Sequence, residues 1–395
     1  MDVIEGVIGT RMPFSGPFAL LAAGLAFGCG LAPEQGPPNG VLAESGVTYR
    51  VTTFATGLEH PWGIAFVPGE EAILVTERPG RLRIIREGRL EPEPVAGVPE
   101  VWAGGQGGLL DVVAHPEFEE NRWIYLTYSK PGQAGATTAV ARGRLENGRL
   151  TEVEDIFVAD AWDRGGRHFG SRAVFDGDGY LWVTVGDRGQ EEPSQDLRNH
   201  MGTTLRLNDD GTAPADNPFV DHPDAFDEIY SYGHRNAQGM VVHPESGDIW
   251  QNEHGPRGGD VVNRIVAGAN YGWPDYSFGR HYTMRGIPDP EPGTGIELPL
   301  LHWTPSIAPS GMVIYTGDAF PGWRGDLFVG ALADRHLRRV RFEGTDPVEQ
   351  ELLLEDRGHR IRAVAEGPDG LLYLLVDASD APILRVEPTS GPPGR

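Results

Sequence analysis

Residues 172–187 read RAVFDGDGYLWVTVGD. A short apolar run, AVF, meets the turn-forming DGDG, and a second run, YLWVTV, carries the chain back to Gly186 and Asp187. Both runs are of strand length, rich in β-branched and aromatic residues and bounded by Asp and Gly, which specifies a hairpin and not a helix. The pattern recurs as GIAFVPGEEAILVTE from Gly63, LDVVAHPEFEENRWIYLTYS from Leu110 and GMVVHPESGDIWQNEHG from Gly239. It appears again as GMVIYTGDAFPGWRGDLFVGA from Gly311 and AVAEGPDGLLYLLVD from Ala363. No one hairpin buries both of its faces, so six similar copies predict an all-β fold, a six-bladed β-propeller of four-stranded antiparallel blades. A β-sandwich would leave the sixfold recurrence unexplained. The expected domain covers residues 47–390, with 391–395 as a tail.

Composition agrees with this reading. The 395 residues include 55 Gly and 33 Pro and are only 39% hydrophobic, a balance suited to short strands and tight turns. The net charge of −24 argues against a nucleic-acid partner, which needs a basic footprint. Positive charge is almost all arginine, Lys130 being the single lysine, and arginine is suited to bidentate grips on carboxylates.

The first residues read as a targeting segment. FALLAAGLAFG, ending at Gly28, is too short to span a bilayer and precedes the Pro/Gly-rich LAPEQGPPNG. Residues 1–29 are therefore expected to be an export signal, and 30–46 a flexible linker. Asp2 and Glu5 are unusual in a signal, and Met12 is an alternative start. Cys29 closes AFGC, which is either a bacterial lipoprotein-type cleavage site with a lipid anchor or an unused thiol in a discarded peptide. With no other cysteine, the mature domain uses no disulfides. The expected location is periplasmic or the cell envelope of a bacterium, without an integral membrane span.

Within each repeat, the residues before the first strand and after the second share one rim of the channel. Before first strands come His60, Gln106, His168, Arg235 with Asn236, and Arg360 with Arg362. After second strands come Glu77 with Arg78, Asp187 with Arg188, Glu253 to Pro256, and Asp377. The opposite turns carry ordinary Pro, Gly, Asp and Glu. One rim is chemically loaded, and loops held by a rigid scaffold are where sites sit.

Histidine is the natural proton acceptor near neutral pH, and His168 and Asp187 bracket one hairpin, so a hydrogen-bonded pair is expected. Arg235, Arg360 and Arg362 arrive from two blades, which suits an anionic ligand with several carboxylates or phosphates. NEHGPRGGD, residues 252–260, is a loop whose Gly and Pro expose backbone carbonyls of the kind that ligate Ca²⁺. His115 and His243 stand in His-Pro turns and read as structural. The sequence has no tight His/Cys cluster, phosphate-binding glycine loop or Gly-x-Ser-x-Gly elbow.

Taken together, GGQGGLLDVVAHP, GRHFGSR, VGDRG, YGHRNAQG, NEHGPRGGD, NYGWP and RIRAVAEGPDG resemble the soluble quinoprotein sugar dehydrogenases, particularly the bacterial aldose sugar dehydrogenases. The resemblance runs from about Thr52 to Val386. It implies oxidation of aldoses at C1 to lactones, with pyrroloquinoline quinone (PQQ) and Ca²⁺ as cofactors and an external electron acceptor that the sequence does not identify. It further implies that His168 is the general base, Asp187 its orienting carboxylate, and Gln106 a contact to substrate and cofactor. Arg235 and Asn236 would bind the cofactor, Arg235 near the reacting quinone oxygen, while Arg360 and Arg362 hold its carboxylates. Gly255 and Pro256 would ligate the cofactor's Ca²⁺ through their carbonyls. Trp303 is expected to pack on the cofactor plane and Tyr282 to face the sugar.

The chain departs from the family pattern at three places. A lysine contact of the glucose-active branch falls at about Ala333, with Arg335 as the alternative. A second, structural Ca²⁺ site lacks its acidic residue, leaving backbone ligands at Val261 and Tyr271. Arg167 precedes the base where that branch has an acid, so the substrate is read as an aldose without narrower assignment. Two other readings compete: a non-catalytic propeller binding a glycan or protein, and a metal-dependent lactonase using Glu77, Glu253 and Asp377.

Overall fold

A computed structural model describes residues 41, 42 and 44–389. The expected export signal with Cys29, the linker up to residue 40 and the tail 391–395 lie outside the described residues. Among the described residues no helix is long and apolar enough to cross a membrane.

Six sheets form the blades of a propeller. Their innermost strands are Pro61–Phe66, Leu109–Ala114, Ala173–Phe175, Ala237–Val242, Pro309–Ile314 and Ile361–Glu366. Each packs against the next and the last against the first, which closes the ring. Residues 172–187 show how the sequence folds locally. Asp176 Oδ1 accepts the N–H groups of Asp178 (3.0 Å) and Tyr180 (2.9 Å), and Gly179 takes the left-handed conformation (φ 86°) that the turn requires. The second strands Ala72–Glu77, Leu181–Val185, Ile249–Glu253, Leu327–Ala331 and Leu372–Val376 are buried along their whole length. Neighbouring blades cover both faces, so four of these strands read as largely apolar runs without alternation, while Ile249–Glu253 (IWQNE) buries polar residues that are hydrogen-bonded, as Gln251 is to Thr204 and Asn252 to the Ser310 carbonyl. Clusters such as Leu74, Val112 and Leu126, or Val140, Val183 and Leu205, fill the gaps between blades. Burying each such side chain contributes about 1.5–3 kcal/mol.

The ring is fastened by its two chain ends. Tyr49–Leu58 pairs antiparallel with Ala381–Pro388, in the register Thr52↔Arg385, so the N-terminal strand completes the last blade. Arg50 and Thr52 both donate to the Glu387 carboxylate at 2.8 Å. The stretch expected as linker is partly structured. Val41–Leu42 pairs in parallel with Asp346–Leu353, and Ser45 N–H donates to Glu351 Oε1 at 3.1 Å. An edge strand with unpaired backbone groups was available to be covered there.

Candidate active site

The two halves of the chemically loaded rim are stitched together by backbone. The N–H of Asp187 donates to the Arg235 carbonyl at 2.8 Å, that of His254 to Asn236 at 3.2 Å, and that of Asp377 to Arg360 at 2.9 Å. The channel opens there into a cavity of about 200 Å³ whose walls include Trp62, Gln106, Asn236, His254, Arg360 and Arg362.

His168 immediately precedes Phe169 and Gly170 of the cavity wall; it is buried and in a left-handed conformation (φ 54°) that a non-glycine residue holds only when its surroundings fix it. Its N–H donates to Gln106 Oε1 at 2.8 Å, and its Nδ1 pairs with Asp187 Oδ1 at 2.6 Å. Asp187 is itself held by the Gly189 N–H (2.6 Å, on Oδ1) and the Trp273 indole N–H (2.8 Å, on Oδ2). With Nδ1 donating to a carboxylate, Nε2 carries the free lone pair. Burial, together with the charges of Arg235 and Arg167, holds the His168 pKa below its ordinary value, against the pull of Asp187. Burial works against ionisation of Asp187, but hydrogen bonding from His168 and the charge of Arg235 outweigh it and keep its pKa low. The pair is a neutral imidazole oriented by a carboxylate, the state a general base requires.

Cations surround it. Arg235 is buried and donates through Nη1 to the carbonyls of His254 (3.1 Å) and Gly255 (2.9 Å), while its Nε has no partner among the described residues. Arg360 grips Asp377 Oδ2 at 3.1 and 3.2 Å. Arg362 donates to Gln238 Oε1 at 2.9 Å, and burial, with the charges of Arg172, Arg360 and Arg78, pushes it down to about 10. Asn236 Oδ1 accepts from the N–H of Gly170 at 3.2 Å. Gly255 and Pro256 lie on the same rim, and Asp260 pins their loop by accepting the Gly255 N–H at 2.9 Å and those of Ile307 and Ala308.

Other expected residues lie elsewhere. Trp303 does not reach the cavity: its strand, Leu301–Trp303, is the outermost of its blade, its indole donates to Gln350 at 2.9 Å, and its ring packs with Ile307 and Met312. The aromatics in the cavity wall are Phe169 and Trp62, and the Trp62 ring lies 4.2 Å from the Arg172 guanidinium carbon and 5.7 Å from that of Arg362. Tyr282 is 71% exposed on the excursion between Arg264 and Leu301 and does not line the cavity. Val261 and Tyr271 line a smaller pocket that Arg235, Gly255 and Trp273 also line and that shares His254 with the cavity. Ala333 is in the cavity wall, whereas Arg335 is exposed and is not.

The carboxylates that a lactonase would need are committed to other partners. Glu77 binds Arg81 (2.6 Å) and Arg83 (3.3 Å), Glu253 accepts from Asn263 (2.9 Å) and the Arg235 N–H (2.6 Å), and Asp377 holds Arg360. Trp62, Gln238 and Trp273 are site residues that the sequence does not single out, and His254 enters only within the rim stretch Glu253 to Pro256. Trp62 had a signal, being the second residue after His60 in HPWGIAF, and so did Trp273 in NYGWP.

The model of the family described as Glucose / Sorbosone dehydrogenase matches residues 58–385. The chain belongs to that family. It is 44% identical over 346 residues to aldose sugar dehydrogenase YliI of Escherichia coli (strain K12), covering 86% of this chain and 93% of that one. A crystal structure of the soluble aldose sugar dehydrogenase from Escherichia coli in the apo-form superposes with a TM-score of 0.82 at 44% identity, over 86% of this chain and all of the other. The PQQ-bound form of aldose sugar dehydrogenase from Streptomyces coelicolor gives 0.73 at 26% identity, over 86% and 98%. The chain is accordingly an oxidoreductase acting on sugars, and the rim with His168 is its candidate active site.

Proposed function

We propose that this dehydrogenase oxidises aldoses at C1 to lactones, using PQQ and Ca²⁺, with His168 as the base. The observation that carries the reading is the His168–Asp187 pair, which leaves Nε2 for a substrate proton and is followed directly in the chain by Phe169 and Gly170, lining residues of a cavity that Arg78, Arg360 and Arg362 also wall. These residues fit a planar trianion: Arg360 and Arg362, in the cavity wall, would meet its carboxylates, and the buried Arg235 beside them would supply positive charge for an oxyanion. Ca²⁺ would be held by the Pro256 carbonyl and by that of Gly255, which would exchange its hydrogen bond from Arg235 Nη1 (2.9 Å) for the metal. The Streptomyces relative's bound PQQ supports the cofactor assignment.

When bound, PQQ polarised by Ca²⁺ supplies the electrophilic carbon that accepts hydride. His168 Nε2 takes the proton of the C1 hydroxyl, and Asp187 keeps the ring oriented and stabilises the imidazolium that forms. Gln106 fixes the His168 backbone, and Arg235 lies where negative charge develops. Tyr282, on its excursion, would touch only the outer part of a sugar. The expected setting is the bacterial periplasm or envelope after export, anchored at Cys29 if that residue is acylated, with an external electron acceptor. Apoprotein given PQQ and Ca²⁺ should reduce a dye with one or more of a panel of aldoses; inactivity across the panel would refute the proposal.

A further inference from the structure

The orienting carboxylate has a partner on the side away from the base. The indole N–H of Trp273 donates at 2.8 Å to Asp187 Oδ2, the oxygen that His168 does not use. Trp273 is buried, and its backbone is fixed twice: its N–H donates to the Gly233 carbonyl at 2.8 Å and its carbonyl accepts Gln195 Nε2 at 2.7 Å. Its ring also stands 5.3 Å from the Arg235 guanidinium carbon. One side chain therefore touches both the carboxylate that orients the base and the cation of the site.

Trp273 also lies near the start of the excursion that bears Tyr282. Farther along it, His281 Nδ1 comes within 3.8 Å of Glu191, on the loop that follows Asp187. Trp273 thus bonds the excursion to the orienting carboxylate itself, and His281 stands beside the loop that follows it. The ring of His168 is faced by Asp187, Arg235 and Arg167, with His254 across the cavity.

We propose that Trp273 is a positioning residue for the base. Its N–H holds Asp187 in the orientation that keeps Nδ1 of His168 protonated and Nε2 free, and it couples the excursion to the base. The inference deepens the proposed reaction and rests on it for the kinetic readout only. Removing the indole N–H raises the proton affinity of Asp187, so His168 should retain its proton to higher pH.

The test uses the full-length ¹⁵N-labelled apoprotein, in which His168→Gln identifies one imidazole titration among 12 histidines. In the wild type, one of the nine indole N–H resonances should shift with the midpoint of His168. In Trp273→Phe that resonance should vanish and the midpoint should rise by about half a pH unit. Loaded with PQQ and Ca²⁺, the variant should lose roughly tenfold in kcat, with KM and PQQ affinity nearly unchanged. The proposal fails if no wild-type indole follows His168, or if the variant leaves both midpoint and kcat unchanged. The wild-type titration decides alone if the variant does not fold. If the wild type binds no PQQ, the reaction assignment fails, and the titration still judges Trp273.

Discussion

The backbone N–H of His168 donates to the side chain of Gln106 at 2.8 Å, joining the rims of two neighbouring blades. The base is therefore held from behind by one blade while Asp187 holds its ring from its own. Such double fixation keeps the left-handed backbone of His168 in place and its imidazole in one orientation.

His168→Gln should remove the proton acceptor while keeping the fold and PQQ binding. Turnover should fall by roughly 10²–10⁴, the usual worth of a general base. Stopped-flow dye reduction on reconstituted protein measures it. Loss of cofactor binding instead would mean that His168 is structural.

The pH profile follows from the depressed pKa of His168. The folded protein protonates this ring less readily than the ordinary value of 6.5, so the neutral base persists as pH falls. The acid limb of kcat/KM should lie below that value. The same shift means that the unfolded chain binds this proton more readily. This group's contribution to stability is thus complete above the unfolded pKa and lost as pH falls through the folded one. An acid limb above neutrality would contradict the assignment.

Arg362→Ala should weaken PQQ binding by roughly 10- to 100-fold, the worth of one charge-assisted hydrogen bond of about 1.5–3 kcal/mol. Arg360→Ala should cost less, because that side chain is 42% exposed and shared with Asp377. Quenching of tryptophan fluorescence on PQQ titration would read both constants.

The two tryptophans separate cavity from core. Trp303→Phe should lower the unfolding temperature and leave PQQ affinity unchanged, because its ring packs between blades. Trp62→Phe should weaken PQQ binding, because its ring is part of the cavity wall. The reverse pattern would restore Trp303 to the cofactor.

The propeller was legible in sequence because each blade begins with a local hairpin whose turn chemistry and strand lengths recur. The closing strand Tyr49–Leu58 carried no such signal: its partner Ala381–Pro388 is more than 300 residues away. His168 and Asp187 were legible as a pair because they bracket one hairpin, and the structure brings Gln106, Arg235, Asn236, Arg360 and Arg362 to the same rim. Trp303 misled because an aromatic residue in a Pro-rich segment gives no sign of which face of an outer strand it occupies. Trp62 and Trp273 were overlooked because their roles depend on partners from other blades, Arg172 and Asp187.

The central claim is tested most directly by the absorbance spectrum of full-length protein mixed with PQQ and Ca²⁺ and passed through gel filtration, recorded before and after an aldose is added. The account predicts that quinone absorbance co-elutes with the protein and converts to the reduced form on sugar addition. Protein that elutes without quinone absorbance, or a bound quinone that no aldose reduces, would contradict it.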